Sequence, residues 1–179
     1  MTAATVALIG PMGAGKTSVG RRLARHLDRR FIDTDSVIAA EHGAIPDLFA
    51  TVGEGAFRAI EREVVQRELR TGAVVALGGG AVLDESTRAA LADCTVVLLT
   101  VSEQAVADRL AGGRRPLLTE GIASWRRIAA ERDPVYRALA DVTVDTSRRP
   151  MTTIAAELAE QLQASPASPR ARQQEESST

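Results

Sequence analysis

Four runs of β-branched and aliphatic residues interrupt an otherwise mixed pattern along the chain: TVALI (5–9), AVVAL (73–77), TVVLLT (95–100) and DVTVDT (141–146). A fifth, RFID (30–33), is shorter. Their near-continuous apolarity predicts strands covered on both faces, as in a parallel sheet layered by helices. The stretches between them follow a different rhythm. In residues 16–28, Val19, Leu23 and Leu27 recur every four positions while Arg21, Arg22 and Arg25 take other faces, the period of a half-buried helix. Residues 54–70 set Phe57, Ile60, Val64 and Leu69 along one stripe. Residues 102–111, 124–140 and 151–163 read as further helices, with Ser102, Ser124 and Thr152 or Thr153 as expected N-caps. Strands alternating with helices predict a doubly wound α/β fold.

Two segments fall outside this rhythm. Residues 111–123, AGGRRPLLTEGIA, combine Gly-Gly, paired arginines and a proline, a composition that predicts a mobile loop. Residues 164–179 carry almost no large apolar groups and are expected to be disordered. The 179 residues suit a single domain over 1–163, a size that buries about two-thirds of its unfolded surface.

Charge and cysteine content narrow the class. A net charge of −1 does not indicate a general attraction to nucleic acid or anionic membrane, while leaving local arginines free to bind small anions. The single cysteine, Cys94, adjoins a strand-like run; it cannot form an internal disulfide and reads as a buried structural thiol. The N-terminus lacks a basic region followed by a signal-type apolar stretch, and no apolar run approaches the ~20 residues that span a bilayer. The expectation is a soluble cytoplasmic protein.

The chemistry starts at GPMGAGKTSVG, residues 10–20, between the first strand and the first helix. Gly10, Gly15, Lys16 and Thr17 satisfy G-x-x-x-x-G-K-[ST]. Glycines let backbone N–H groups turn inward around phosphate oxygens, and the helix N-terminus adds partial positive charge. Lys16 can reach the β- and γ-phosphates, and Thr17 can offer its hydroxyl to Mg²⁺. Lys16 is the only lysine in a chain otherwise rich in arginine; a guanidinium is wider than an ammonium and fits a narrow phosphate loop poorly. A glycine-rich turn with a solvated lysine is the alternative. The strand-then-helix context favours a nucleoside triphosphate site.

Candidate acceptor residues lie downstream. In FIDTD, Asp33 and Asp35 stand two apart, so persisting extended geometry would aim both carboxylates one way, one toward Mg²⁺ and one toward an acceptor hydroxyl. The alternative is a helix N-cap for residues 35–42 plus a solvated aspartate. The strand at 73–77 ends in Gly78-Gly79-Gly80 rather than an acid, so Asp33 substitutes for one. The three glycines form either a flexible turn or a floor that a ligand approaches closely. Arg58, with Glu54 and Glu61 one helical turn away on either side, is either a surface ion pair or a fork held for a substrate carboxylate. Arg137 is a second anion clamp or a solvated arginine. His26, His42, Trp125 and Tyr136 read as structural or solvated.

Taken in order, GPMGAGKT, FIDTD, IPDLFATVGEGAFRAIE, LGGGAV, RRPLL, DPVYR and VDTSRR, across about residues 5–150, resemble the shikimate kinase family. The resemblance implies a nucleoside monophosphate kinase-like P-loop fold, a five-stranded parallel sheet of order 2-3-1-4-5 flanked by helices. A substrate-binding region would span about 34–62 and a mobile lid about 111–123. It implies ATP-dependent phosphorylation of the 3-hydroxyl of shikimate, by a monomer with no nucleic-acid or membrane partner. Gly13, Ala14, Gly15, Lys16, Thr17 and Ser18 would hold the phosphates, with Thr17 and Asp33 serving Mg²⁺. Asp35 would bind the shikimate hydroxyls and act as base. Arg58, Arg137 and the backbone of Gly78, Gly79 and Gly80 would hold the rest of the acceptor. Phe49 and Phe57 would form its aromatic wall, helix-core packing staying open for Phe57. Arg115 corresponds to the lid arginine that reaches the γ-phosphate, and Arg109, Arg148 and Pro150 to adenine-side contacts. LAGGRRPLL is short for that lid. A kinase of another small hydroxy acid such as gluconate, and a nucleotide-binding regulator without catalysis, remain as alternatives; retained Lys16, Asp33, Asp35 and Arg115 count against the second.

Overall fold

The structure is a computed structural model, and it describes residues 4–111 and 121–164. Five parallel strands, β1 (Val6–Ile9), β2 (Phe31–Asp33), β3 (Val74–Ala76), β4 (Thr95–Thr100) and β5 (Val142–Asp145), form one sheet of order β2-β3-β1-β4-β5. The register pairs Val6 of β1 with Val74 of β3 on one side and Thr95 of β4 on the other. The helices are α1 (Lys16–His26), α2 (Thr34–His42), α3 (Ile45–Glu68), α4 (Glu85–Leu91), α5 (Glu103–Ala111), α6 (Gly121–Leu139) and α7 (Met151–Ala164), with a 3₁₀ turn at Ala81–Leu83.

Alternation along the central strands explains the two cores. Ala7, Ile9, Val75, Val96 and Leu98 face one side, where Val65 of α3, Leu91 of α4 and Tyr136 and Leu139 of α6 cover them. Val6, Leu8, Val74, Val97 and Leu99 face the other, against Val19 and Leu23 of α1 and Ile154 and Leu158 of α7. Ile38, Phe57 and Val64 form a smaller cluster joining α2 to α3. Burial on both faces holds for β1, β3 and most of β4, whereas the edge strand β5 alternates half-buried and exposed positions. An edge strand has one open side, so the continuous-run rule applies only to the middle of a sheet.

Several expected boundaries differ. Helix α3 starts at Ile45 rather than 54, with Pro46 in its first turn and a break at Gly53. Helix α4 and the turn before it have no counterpart in the apolar pattern. Ser102 Oγ does cap α5, accepting from Ala105 N at 3.2 Å. Ser124 lies inside α6, and Thr152 and Thr153 lie inside α7, so none of the three caps the helix it was expected to start. Of the expected lid, Ala111 closes α5 and residues 121–123 open α6; residues 112–120, with Arg114 and Arg115, lie outside the described residues. So do residues 165–179 of the expected tail, while Ala164 ends α7.

Candidate active site

The loop after β1 owes its shape to glycine. Gly10, Gly13 and Gly15 hold φ of 140°, 80° and 88°, values that side chains resist. A Cβ on Gly10 would stand 2.2 Å from the carbonyl oxygen of Leu99, so β4 seals the loop from behind. Helix α1 then begins at Lys16 with no acid in its first turn and no side-chain cap. Its leading N–H groups remain available to an anion. Lys16 Nζ donates to the carbonyls of Gly10 at 2.6 Å and Pro11 at 2.9 Å. Burial pulls this ammonium down to about 8, against the raising influence of Asp35 and Asp33 and with a lowering one from Arg132.

Asp33 does both things the sequence offered as alternatives. Its Oδ1 accepts from Asp35 N at 3.1 Å and Ser36 N at 3.3 Å, capping α2, while its Oδ2 accepts from Thr17 Oγ1 at 2.7 Å. The extended geometry ends there, because Asp35 already belongs to the first turn of α2. Both carboxylates nevertheless line the same cleft. Burial first, then the charges of Asp33 and Glu61, push the Asp35 carboxyl above its ordinary range, with Lys16 and Arg58 pulling it back. Glu61 is 5% exposed and accepts from Arg58 Nη1 at 2.6 Å. Glu54 is exposed, 3.8 Å from the same guanidinium, so the buried partner fixes the fork.

Gly78 and Gly80 pack against these side chains, and Gly79 faces Arg132 and Tyr136. A Cβ on Gly78 would sit 2.7 Å from Asp35 Oδ1 and 3.0 Å from Glu61 Oε1, and one on Gly80 would sit 2.8 Å from Arg58 Nη1. None of the three has a positive φ, so proximity rather than conformational freedom requires glycine at Gly78 and Gly80, while a Cβ on Gly79 would meet Arg132 Nη1 only at 3.4 Å. Gly78 N donates to Thr34 Oγ1 at 3.2 Å, and the carbonyl of Gly79 accepts from the Tyr136 hydroxyl at 2.6 Å. The cleft has a volume of about 710 Å³; Lys16, Thr17, Asp33 and Asp35 line one side and Trp125, Arg132 and Tyr136 of α6 the other.

Other expected residues stand elsewhere. Arg137 is exposed, donates to Asp133 Oδ2 at 2.6 Å and lines a separate groove. Arg132, five residues earlier, lines the cleft in its place. Five residues turn a helix by about 140° beyond a full turn, so the two arginines cannot share a face. The spacing of Trp125, Ala129, Arg132 and Tyr136 held the missing signal, since steps of three and four mark one face. Phe57 is core, stacked by Phe49 with ring centroids 4.3 Å apart; neither lines the cleft, and the helix-core alternative describes Phe57. Arg109 donates to the carbonyl of Gly13 at 2.6 Å and to the carbonyl of Thr146. Arg148 and Pro150 are exposed at the start of α7.

A phosphate loop on β1, a 2-3-1-4-5 parallel sheet and a polar cleft at the carboxyl ends of its strands together define a P-loop kinase of the nucleoside monophosphate kinase-like architecture. A family model described as shikimate kinase matches residues 12–163. The chain is 49% identical over 145 residues to a shikimate kinase of Stenotrophomonas maltophilia (strain K279a), spanning 78% of this chain and 81% of that one. It is 46% identical over 147 residues to one of Mycobacterium avium (strain 104), spanning 79% and 84%. Among solved structures, shikimate kinase from Acinetobacter baumannii in complex with shikimate superposes with a TM-score of 0.83 at 35% identity, covering 91% of this chain and 94% of that chain. The chain belongs to the shikimate kinase family.

Proposed function

We propose that this chain transfers the γ-phosphoryl group of ATP to the 3-hydroxyl of shikimate, giving shikimate 3-phosphate and ADP. The observation that carries the reading is the single cleft in which the phosphate loop faces Asp35, Gly79 and Arg132. The relative crystallised with shikimate and the family match support the acceptor.

The chemistry follows from the residues. Phosphoryl transfer is mostly positioning and charge stabilisation. The loop N–H groups and Lys16 grip the polyphosphate. Arg58, braced by Glu61, and Arg132 supply guanidinium forks for the acceptor carboxylate, which turns a bimolecular encounter into a local one. Asp35 orients the attacking hydroxyl and takes its proton as the new oxygen–phosphorus bond forms and the bond to the β–γ bridging oxygen breaks. A raised carboxyl is the better proton acceptor near neutral pH. Mg²⁺ belongs to the proposal: Thr17 and Asp33 are hard oxygen donors 2.7 Å apart, the kind of partial site that such an ion completes with phosphates. When bound it would neutralise charge on the β- and γ-oxygens. Arg115 on the γ-phosphate, and Arg109, Arg148 and Pro150 near the adenine, remain part of the reading, as does a cytoplasmic monomer without a nucleic-acid partner.

A coupled assay of ADP release with shikimate, gluconate or no acceptor tests it. Shikimate-dependent turnover is expected. Turnover with gluconate alone would make the chain a kinase of another hydroxy acid, and none with any acceptor would make it a regulator.

A further inference from the structure

The phosphate loop raises a question of its outer side. N–H groups can turn inward around an anion only while the carbonyls between them turn outward, and outward carbonyls need donors. Every carbonyl from Gly10 to Ala14 has one. Lys16 takes Gly10 and Pro11, and Arg109 of α5 takes Gly13. Trp125 Nε1, at the start of α6, donates to the carbonyl of Met12 at 2.9 Å. Thr146, immediately after β5 and fully buried, has its hydroxyl 2.8 Å from the carbonyl of Ala14 and 3.0 Å from that of Thr100. Arg109 also reaches Thr146, at its carbonyl and, at 3.3 Å, at its hydroxyl oxygen.

We propose that Trp125 and Thr146 are positioning residues for the nucleotide: they hold the carbonyls of Met12 and Ala14 outward and so aim the loop's N–H groups at the phosphates. The inference rests on the kinase reading of the loop. Lys16 must leave Gly10 and Pro11 to reach a phosphate, whereas the donors on Met12, Gly13 and Ala14 come from outside the loop and stay. The loop is therefore held open from three separate elements, α5, α6 and the turn after β5. A threonine with no exposed surface, set between two carbonyls, gains nothing from its hydroxyl except these bonds.

The experiment compares wild type with Thr146→Val, Thr146→Ser and Trp125→Phe. It measures ADP·Mg binding by calorimetry, KM for ATP and for shikimate, and thermal unfolding. Valine keeps the shape and loses the donor; phenylalanine keeps an aromatic ring and loses the N–H. Each is expected to weaken ADP and raise KM for ATP by about three- to tenfold, one hydrogen bond's worth. KM for shikimate should stay within about twofold, and serine should restore nucleotide affinity. ADP affinity equal to wild type in both Thr146→Val and Trp125→Phe, or a parallel rise of the two KM values, would overturn the proposal. Should valine prevent folding, Trp125→Phe decides by the same readings. A wild-type chain that phosphorylates shikimate while the variants bind ADP normally sinks the inference alone; a wild type that binds no ADP sinks the kinase reading with it.

Discussion

At Asp35, burial and two neighbouring carboxylates hold the carboxyl above its usual 3.8 despite Lys16 and Arg58. A raised value in the folded state means that the protonated form suits the fold. That contribution is complete below the unfolded pKa and is lost as pH rises through the folded one, so at neutral pH the charge of Asp35 works against stability. Asp35→Asn is therefore expected to raise Tm at pH 7 while lowering kcat by roughly 10²–10⁴-fold. Circular-dichroism melts and steady-state rates check this; a lowered Tm would mean that the charge is no burden. Lys16 and Asp35, legible from motif and order, both line the cleft, whereas Arg58 pairs with Glu61 beside Gly80 and is not among the lining residues. Arg132 was not legible, because RDPVYR offers two arginines and the helix face, not the motif, decides which one meets the cleft. The sequence left Arg58 open between a surface pair and a held fork because spacing alone does not reveal that Glu61, and not Glu54, is buried.

Helix α3 shows the same limit for elements. Gly53 sits inside it at φ 78° and ψ 170°, a conformation open to almost nothing but glycine, and the apolar period resets there. The pattern before the break, residues 45–53, is too short to show a helical period. Helix α4 escaped for a related reason: ESTRAAL has one large apolar residue and no period to detect. Gly53 and Gly55 make a paired test, since a Cβ at either would meet nothing within 4 Å. Gly53→Ala should destabilise by about 1–3 kcal/mol through backbone strain. Gly55→Ala, at a helical position, should stabilise by about 0.8–1 kcal/mol through propensity. Denaturant titrations giving the same sign for both would refute the break at Gly53.

Across the whole molecule, β1 runs between β3 and β4 and carries the phosphate loop at its carboxyl end, with Asp33 ending β2 and Gly78 following β3. This much was legible, because fully apolar runs mark central strands and the motif tells which one leads. Cys94 reports on the same core. Its Sγ lies 3.7 Å from the carbonyl of Ala90 and 3.8 Å from that of Leu69, and burial, followed by Asp93 and Asp141, pushes the thiol up to about 12. At pH 8 the native protein should react with a thiol reagent at least ~10³-fold more slowly than free cysteine, and labelling should accelerate in step with loss of helical signal in denaturant. Rapid stoichiometric labelling of the native chain would show that this side of the sheet opens by itself. The doubled duty of Asp33 has a different consequence, for which sequences can occupy the position. Asparagine would cap α2 as well but bring no charge to Thr17; glutamate would bring the charge but cap poorly. Aspartate alone meets both demands, so variation there is closed off by two independent filters, one on folding and one on chemistry.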